Sequence, residues 1–330
     1  MITATHRAGP HEPLEGAPPR APGSIRRTSH LDSTRASTTP RVVGRARDLR
    51  TAPDGTTAEL AAVELGLDVE GLGTITAVHA TPDVPGLDQL VGLSAAAGFR
   101  GPMTAALPLE AEARTALHLL LDDLPGAWLV AGYGASRAVP GPAPASARTR
   151  EHVARITDTC AGWVEDGSIL VEFRAHDEIP TPMGPPAPPL GRDDDPLAWH
   201  ELHRLPSGAT RRSRRLDLVR EAPTEASFEA HFRDSYAEGD DDESVVHEYT
   251  VTGRLDTVTR TITAIEAQPR VLPWVECPVA IASARRVLGT PVDDLRRRVR
   301  AELVGTSTCT HLNDTLRMLA DLEALVTHLP

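Results

Sequence analysis

The sequence predicts an α+β fold of two related halves, each an antiparallel sheet followed by helices. Three observations carry this expectation. The segment I-R-R-T-S-H-L-D at residues 25–32 returns as T-R-R-S-R-R-L-D at 210–217, an offset of 185. Arg47-Asp48 returns as Arg233-Asp234, and I-T-A-V-H-A-T-P-D-V at 75–84 returns as I-T-A-I-E-A-Q-P-R-V at 262–271, at offsets of 186 and 187. Spacing this constant marks an internal duplication. In both copies, stretches of alternating Val, Thr and Ile precede helical patterns, the order of an α+β unit.

The elements follow in chain order. Residues 1–22 are rich in Pro, Gly and Ala and are expected as a disordered tail. An N-terminal repeat spans 23–138. A strand follows its Arg-Arg motif and a second ends at Arg47-Asp48. Residues 61–69 and 74–80 pair as outward and return strands, and a helix around 109–124 closes the repeat. Residues 139–209 form a linker or insertion that opens P-G-P-A-P-A-S-A. In it, I-T-D-T-C-A-G-W-V-E-D-G-S-I-L-V-E-F at 156–173 reads as a hairpin turning at Glu165-Asp166-Gly167-Ser168, with Cys160 ahead of the turn. Past a Pro-rich loop at 180–189, Asp194 or Asp195 is expected to cap a short helix. The C-terminal repeat spans 210–330, with strands at 247–255 and 260–267. The acidic run at 238–243 reads as a solvated hairpin tip; it lacks the spacing of a calcium loop.

Three helices end the chain. Pro278 suits a first helical position, which places Cys277 at or beside the N-cap, and Gly289 supplies the stop. Thr290-Pro291-Val292-Asp293 opens the second helix in capping-box style and Gly305 ends it. Cys309 lies in the cap turn of the third, with His311 in its first turn. Helix N-termini carry partial positive charge, so a lowered thiol pKa is expected for Cys277 and Cys309. The alternative is that both are small buried hydrophobes.

Composition narrows the function classes. The 330 residues carry a net charge of −12, which disfavours general nucleic-acid binding. Aromatics at 3% disfavour stacking platforms for single strands. All 34 basic residues are arginine, which removes Schiff-base chemistry, a pyridoxal-phosphate anchor and the P-loop and kinase lysines. The clusters Arg211-Arg212 with Arg214-Arg215 and Arg296-Arg297-Arg298 stand out, and the second reads as a solvated helix face. Three cysteines, an odd number, do not suggest a disulfide framework. The first twenty residues have no apolar core, so no secretory signal is expected. No apolar run approaches the roughly eighteen residues of a membrane span. The expected location is cytoplasmic, with no membrane and no nucleic-acid partner; a protein partner is left open.

The chemistry concentrates at Cys277, Cys309 and His311, with Cys160 as a further ligand. This set suits zinc or an iron–sulfur cluster. The N-terminal repeat has no cysteine, and Leu90 aligns with Cys277, so a thiol site belongs to the C-terminal repeat. His247-Glu248 offers one more ligand, although a strand histidine beside an acidic loop reads more simply as polar surface. His200 and His203 read as surface. The leading expectation is a metal- or iron–sulfur-binding accessory protein. The alternatives are a cysteine-dependent enzyme with His311 as base, and a non-catalytic binding or assembly module with core cysteines.

Two resemblances add to this reading. The motifs I-R-R-T-S-H-L-D, G-R-A-R-D, D-T-C-A-G-W, D-D-P-L-A-W-H, R-V-L-P-W-V-E-C-P and C-T-H-L-N-D are similar to those of the bacterial domain-of-unknown-function family 2889, which implies no activity. Residues 249–325 resemble the U-type iron–sulfur cluster scaffold: Cys277-Pro278-Val279-Ala280-Ile281-Ala282-Ser283, then Gly289 with Val292-Asp293, then Cys309. That resemblance implies that Cys277 and Cys309 are cluster or metal ligands. The scaffold's first cysteine has no counterpart before Tyr249, and His311 follows Cys309 where the scaffold's histidine precedes its last cysteine.

Overall fold

The computed structural model describes residues 9–35, 39–137, 145–181, 183–239 and 242–330. Eight strands, β1 (Ser24–Ser33), β2 (Arg41–Thr51), β3 (Thr57–Glu70), β4 (Thr74–Thr81), β5 (Thr210–Ala222), β6 (Glu225–Gly239), β7 (Asp242–Asp256) and β8 (Thr261–Val271), form one antiparallel sheet. Its order is β4-β3-β2-β1-β5-β6-β7-β8. Two four-stranded meanders thus join edge to edge through β1 and β5, so neither leaves its first strand unpaired. The fold is α+β.

The pairing registers repeat across this junction. Arg27 faces Asp48 as Arg212 faces Asp234. Arg47 faces Ala62 as Arg233 faces Glu248. Leu65 faces Ala80 as Val251 faces Ala267. The pseudo-twofold axis passes through the Ser29–Arg214 pair of the central strands.

One face of the sheet carries the helices α1 (Arg100–Ala106), α2 (Pro108–Ala113), α3 (Ala116–Arg137), α6 (Leu295–Glu302), α7 (Thr310–Met318) and α8 (Leu322–Val326). Leu67, Ile75, Leu120 and Leu124 centre the core of the first half, and Phe232, Tyr249, Leu312 and Leu316 that of the second. The predicted helix at 109–124 is α2 and α3, broken at Arg114 and running on to Arg137. Gly289 and Gly305 have φ of +72° and +78°, the left-handed stops expected of them. No described helix is long and apolar enough to cross a membrane.

One arginine of each echoed Arg-Arg motif, Arg27 and Arg212, lies between the two cores on the helix face; its neighbour, Arg26 or Arg211, points to the other face. Arg27 holds Asp48 at 2.7 Å and Asp321 at 2.9 Å. Arg212 holds Asp234 at 2.8 Å and Asp314 at 3.1 Å, and Arg214 holds Asp123. Arg296, expected on a solvated face, turns inward to Asp321 at 2.6 Å; Arg297 alone of that run is exposed. An arginine stem packs on apolar surface while its fork finds carboxylates, which is why a polar motif sits in the interior.

The other face is covered by extended chain. The expected disordered tail does not hold for residues 9–22. Leu272 N–H donates to Pro10 O at 3.0 Å, Leu14 N–H to Glu248 Oε1 at 2.8 Å, and Arg26 to Pro18 O at 2.9 Å. Low apolar content misled here because this strap is held by hydrogen bonds to buried charges. Residues 1–8 lie outside the described residues. The expected hairpin at 156–173 is instead a 3-10 turn (Ala161–Trp163) and helix α5 (Ser168–His176), preceded by α4 (Ala147–Ile156). Glu276 accepts from Ser168 N–H at 2.8 Å, and Ile169 and Leu170 bury against the second core. A helix presents both to that core, and strand pairing is not needed. No helix follows Asp195; its carboxylate takes the Arg20 fork at 2.8–3.1 Å. The acidic tip joins β6 to β7, and residues 240–241 of it lie outside the described residues.

His118 on α3 gives a pH prediction. Burial, and next the charge of Arg296, lower its pKa to about 4. The folded chain refuses a proton that the unfolded chain accepts below about pH 6.5. The stabilisation is complete above that value and is lost as pH falls towards 4, at about 1.4 kcal/mol per pH unit. Urea unfolding across this range should show the slope, and His118→Gln should reduce it.

Candidate metal centre

Asp234 on β6 and His247 on β7 are register partners, and the strands shift register immediately beyond them at Ser235. His311 comes from the first turn of α7, whose N-cap, Cys309, is extended at φ −133° and ψ 129°. Leu312 and Leu316 pin α7 to the core, which sets the His311 ring on that of His247. The ring centroids are 3.6 Å apart at 19°. His311 Nε2 lies 3.7 Å from Asp234 Oδ2, and His247 Nδ1 lies 3.9 Å from the same oxygen. Neither distance is a hydrogen bond. His247 Nδ1 is buried with no hydrogen-bond partner. Among the described residues, Asp234, His247 and His311 are the group whose metal-binding atoms all lie within 4.8 Å of one another.

The electrostatics leave both rings neutral. Burial lowers His311 to about 3, helped by the Arg212 charge. Burial and then the neighbouring His311 hold His247 well below its ordinary value. A neutral imidazole is the form that binds a metal. Asp234 has no solvent exposure, and the Arg212 fork fixes it at 2.8 and 2.9 Å. Cys309 Sγ sits 4.0 Å from His311 Nδ1. It thus faces the nitrogen remote from Asp234, where it orients the ring without reaching the shared gap.

The predicted ligand set is therefore rearranged. His311 is in the cluster. Cys277, Cys309 and Cys160 are all buried and free, gathered on the core side of it. Cys277 Sγ packs against Gly162, and Ala161 N–H donates to Thr308 O at 2.8 Å, which brings the Cys160 turn to the Cys309 turn. Sequence spacing had no means of showing that approach. The three sulfurs do not form a three-ligand group within 4.8 Å among the described residues. Nor are the thiol pKa values lowered. Burial, and next the Cys160 thiol, push Cys309 up to about 11; burial and then Cys309 put Cys277 well above its ordinary value, and burial raises Cys160. Desolvation outweighs the short α7 dipole, which is worth about 0.3–1 kcal/mol. We expect all three thiols to react with Ellman's reagent only after denaturation; fast labelling of Cys277 or Cys309 in the folded chain would contradict this.

Residues 210–324 match a family model described as a protein of unknown function, DUF2889. No curated protein and no solved structure matches the chain. The DUF2889 match takes in Asp234, His247, Cys277, Cys309 and His311 and leaves out Cys160. It also leaves out the first half, where the counterpart of the Asp234–His247 pair is Asp48 beside Ala61. Asp234 was missed as a ligand from the sequence, although the Arg-Asp echo had marked it. Its ligand character depends on two histidines, one of them on a helix 77 residues further on.

Proposed function

We propose that this chain is a metal-binding accessory protein holding one zinc-class divalent ion between His247 Nδ1, His311 Nε2 and Asp234 Oδ2. The observation that carries the reading is the gap itself. Three lone-pair donors face one another with no hydrogen bond among them, and one of them, His247 Nδ1, is orphaned in the interior. Donors on a tetrahedral ion with bonds of about 2.1 Å sit about 3.4 Å apart, a few tenths of an ångström closer than the 3.7 and 3.9 Å here. Two imidazoles and a carboxylate favour a mononuclear ion over an iron–sulfur cluster, which takes thiolates. Cys309 and Arg212 then act behind the ligands, setting the His311 tautomer and the Asp234 orientation. The raised thiol pKa values favour this reading over a cysteine nucleophile.

Gene duplication accounts for the repeated registers, and the site belongs to the second copy alone, where His247 stands at the position of Ala61. Three free buried thiols suit a reducing compartment, the cytoplasm. The test is metal content. Chelator-stripped protein incubated with zinc and desalted should retain about one equivalent, and His247→Ala and His311→Ala should retain none. Retention by both variants would overturn the assignment.

A further inference from the structure

The strap face carries a second feature that the metal centre does not use. A cavity of about 630 Å³ lies between residues 187–205 and the sheet. Arg47 of β2 and Trp199 line it. Arg47 is 8% exposed and Trp199 3%. Arg47 Nε and Trp199 Nε1 are both buried donors with no acceptor. Arg47 spends one N–H on Leu197 O at 2.6 Å, and no described carboxylate lies within ion-pair distance of it.

The pseudo-twofold partner of Arg47 shows what is missing. Arg233 occupies the equivalent place and donates its Nε–H to Glu248 Oε2 at 2.9 Å. Glu248 also meets His231 Nε2 at 3.0 Å and accepts from Leu14 N–H at 2.8 Å. In the first half the position of Glu248 is taken by Ala62, directly across from Arg47 and exposed. Both arginines line the opening; Arg233 is neutralised by Glu248, whereas Arg47 has no described carboxylate at ion-pair distance and feels Glu59 and Asp195 only from further away. A guanidinium stays charged at any accessible pH, and a buried unpaired charge is costly. A carboxylate or phosphate oxygen matches the free donor edge.

We propose that this cavity binds a small oxyanion, a carboxylate- or phosphate-bearing molecule, with Arg47 as its charge partner and the Trp199 N–H as a second donor. The test uses the full chain, titrated with sodium succinate or inorganic phosphate against sodium chloride at matched ionic strength, with Tm and Trp fluorescence as readouts. At least one oxyanion should give a saturable rise in Tm that chloride does not. Arg47→Gln should lose that response. Ala62→Glu, which restores the carboxylate of the other half, should raise Tm without ligand and abolish the response. A response to succinate alone identifies a carboxylate ligand, to phosphate alone a phosphorylated one, and to both the shared oxyanion chemistry. No response beyond chloride, or a response undiminished in Ala62→Glu, overturns the proposal even if Arg47→Gln fails to fold.

Discussion

Arg212→Met is expected to lower the free energy of unfolding by about 3–5 kcal/mol, the cost of stranding a buried charge by removing its partner. The Arg212 side chain is 1% exposed and binds Asp234 at 2.8 Å and Asp314 at 3.1 Å, with Asp123 at 3.8 Å. Methionine replaces the stem's packing but not the five donors, so Asp234 stays buried without its fork. The Gly126 backbone makes the site still more exacting. A Cβ there would fall 1.8 Å from Arg212 Nη1, so α3 approaches the guanidinium as closely as it does only because residue 126 has no side chain. Arg297→Met is the reference. That arginine is 71% exposed in its pair with Asp294, and its loss should cost no more than about 0.5 kcal/mol. Urea unfolding of both variants in chelator measures the difference. Equal effects would mean that the buried network does not hold the two halves together.

The second large effect is zinc-linked stability. An ion that binds only the folded chain stabilises it by about 2.7 kcal/mol at a hundred times its dissociation constant. Wild-type protein should show a gain of this order over its chelated form. His247→Ala and His311→Ala should show none, while Cys160→Ala should keep it, because Cys160 supplies none of the three facing donors. Cys309→Ser is the informative intermediate. It alters the atom 4.0 Å from His311 Nδ1, so zinc affinity should fall by about 10–100-fold, the usual effect of a group behind a ligand, with stoichiometry unchanged.

Much of the fold was legible because it rests on local periodicity and on repetition. The strands at 61–69, 74–80, 247–255 and 260–267 were found within a few residues, as was the helix start at Cys309, while the turn opening at Cys277 is a 3-10 run, Cys277–Val287, and not the expected α-helix. The single continuous sheet was not, since pairing between β1 and β5 is a contact across 185 residues that no local pattern encodes. The strap at 9–22 was misjudged because its order comes from Glu248, Arg26 and Arg233, charges that composition places at the surface. The 156–173 segment was misread because Ile169, Leu170 and Phe173 suit a strand or a helix equally until the core that receives them is known. At the site, the cysteines drew attention by rarity and led to the right neighbourhood. Their chemistry was inverted by burial. The histidine–carboxylate group was only half visible because Asp234 becomes a ligand through strand register and helix docking together. Ala61-Ala62 and His247-Glu248 stand 186 residues apart, the offset of the Arg-Asp echo. The meaning of that difference needed the registers, which place one residue of each pair towards the helices and the other towards the strap.

X-ray absorption at the zinc edge of the reconstituted protein tests the central assignment most directly. The expected first shell is nitrogen and oxygen alone at about 2.0–2.2 Å, with the outer scattering of two imidazoles. A sulfur shell at about 2.3 Å would place the ion among Cys160, Cys277 and Cys309 and contradict it.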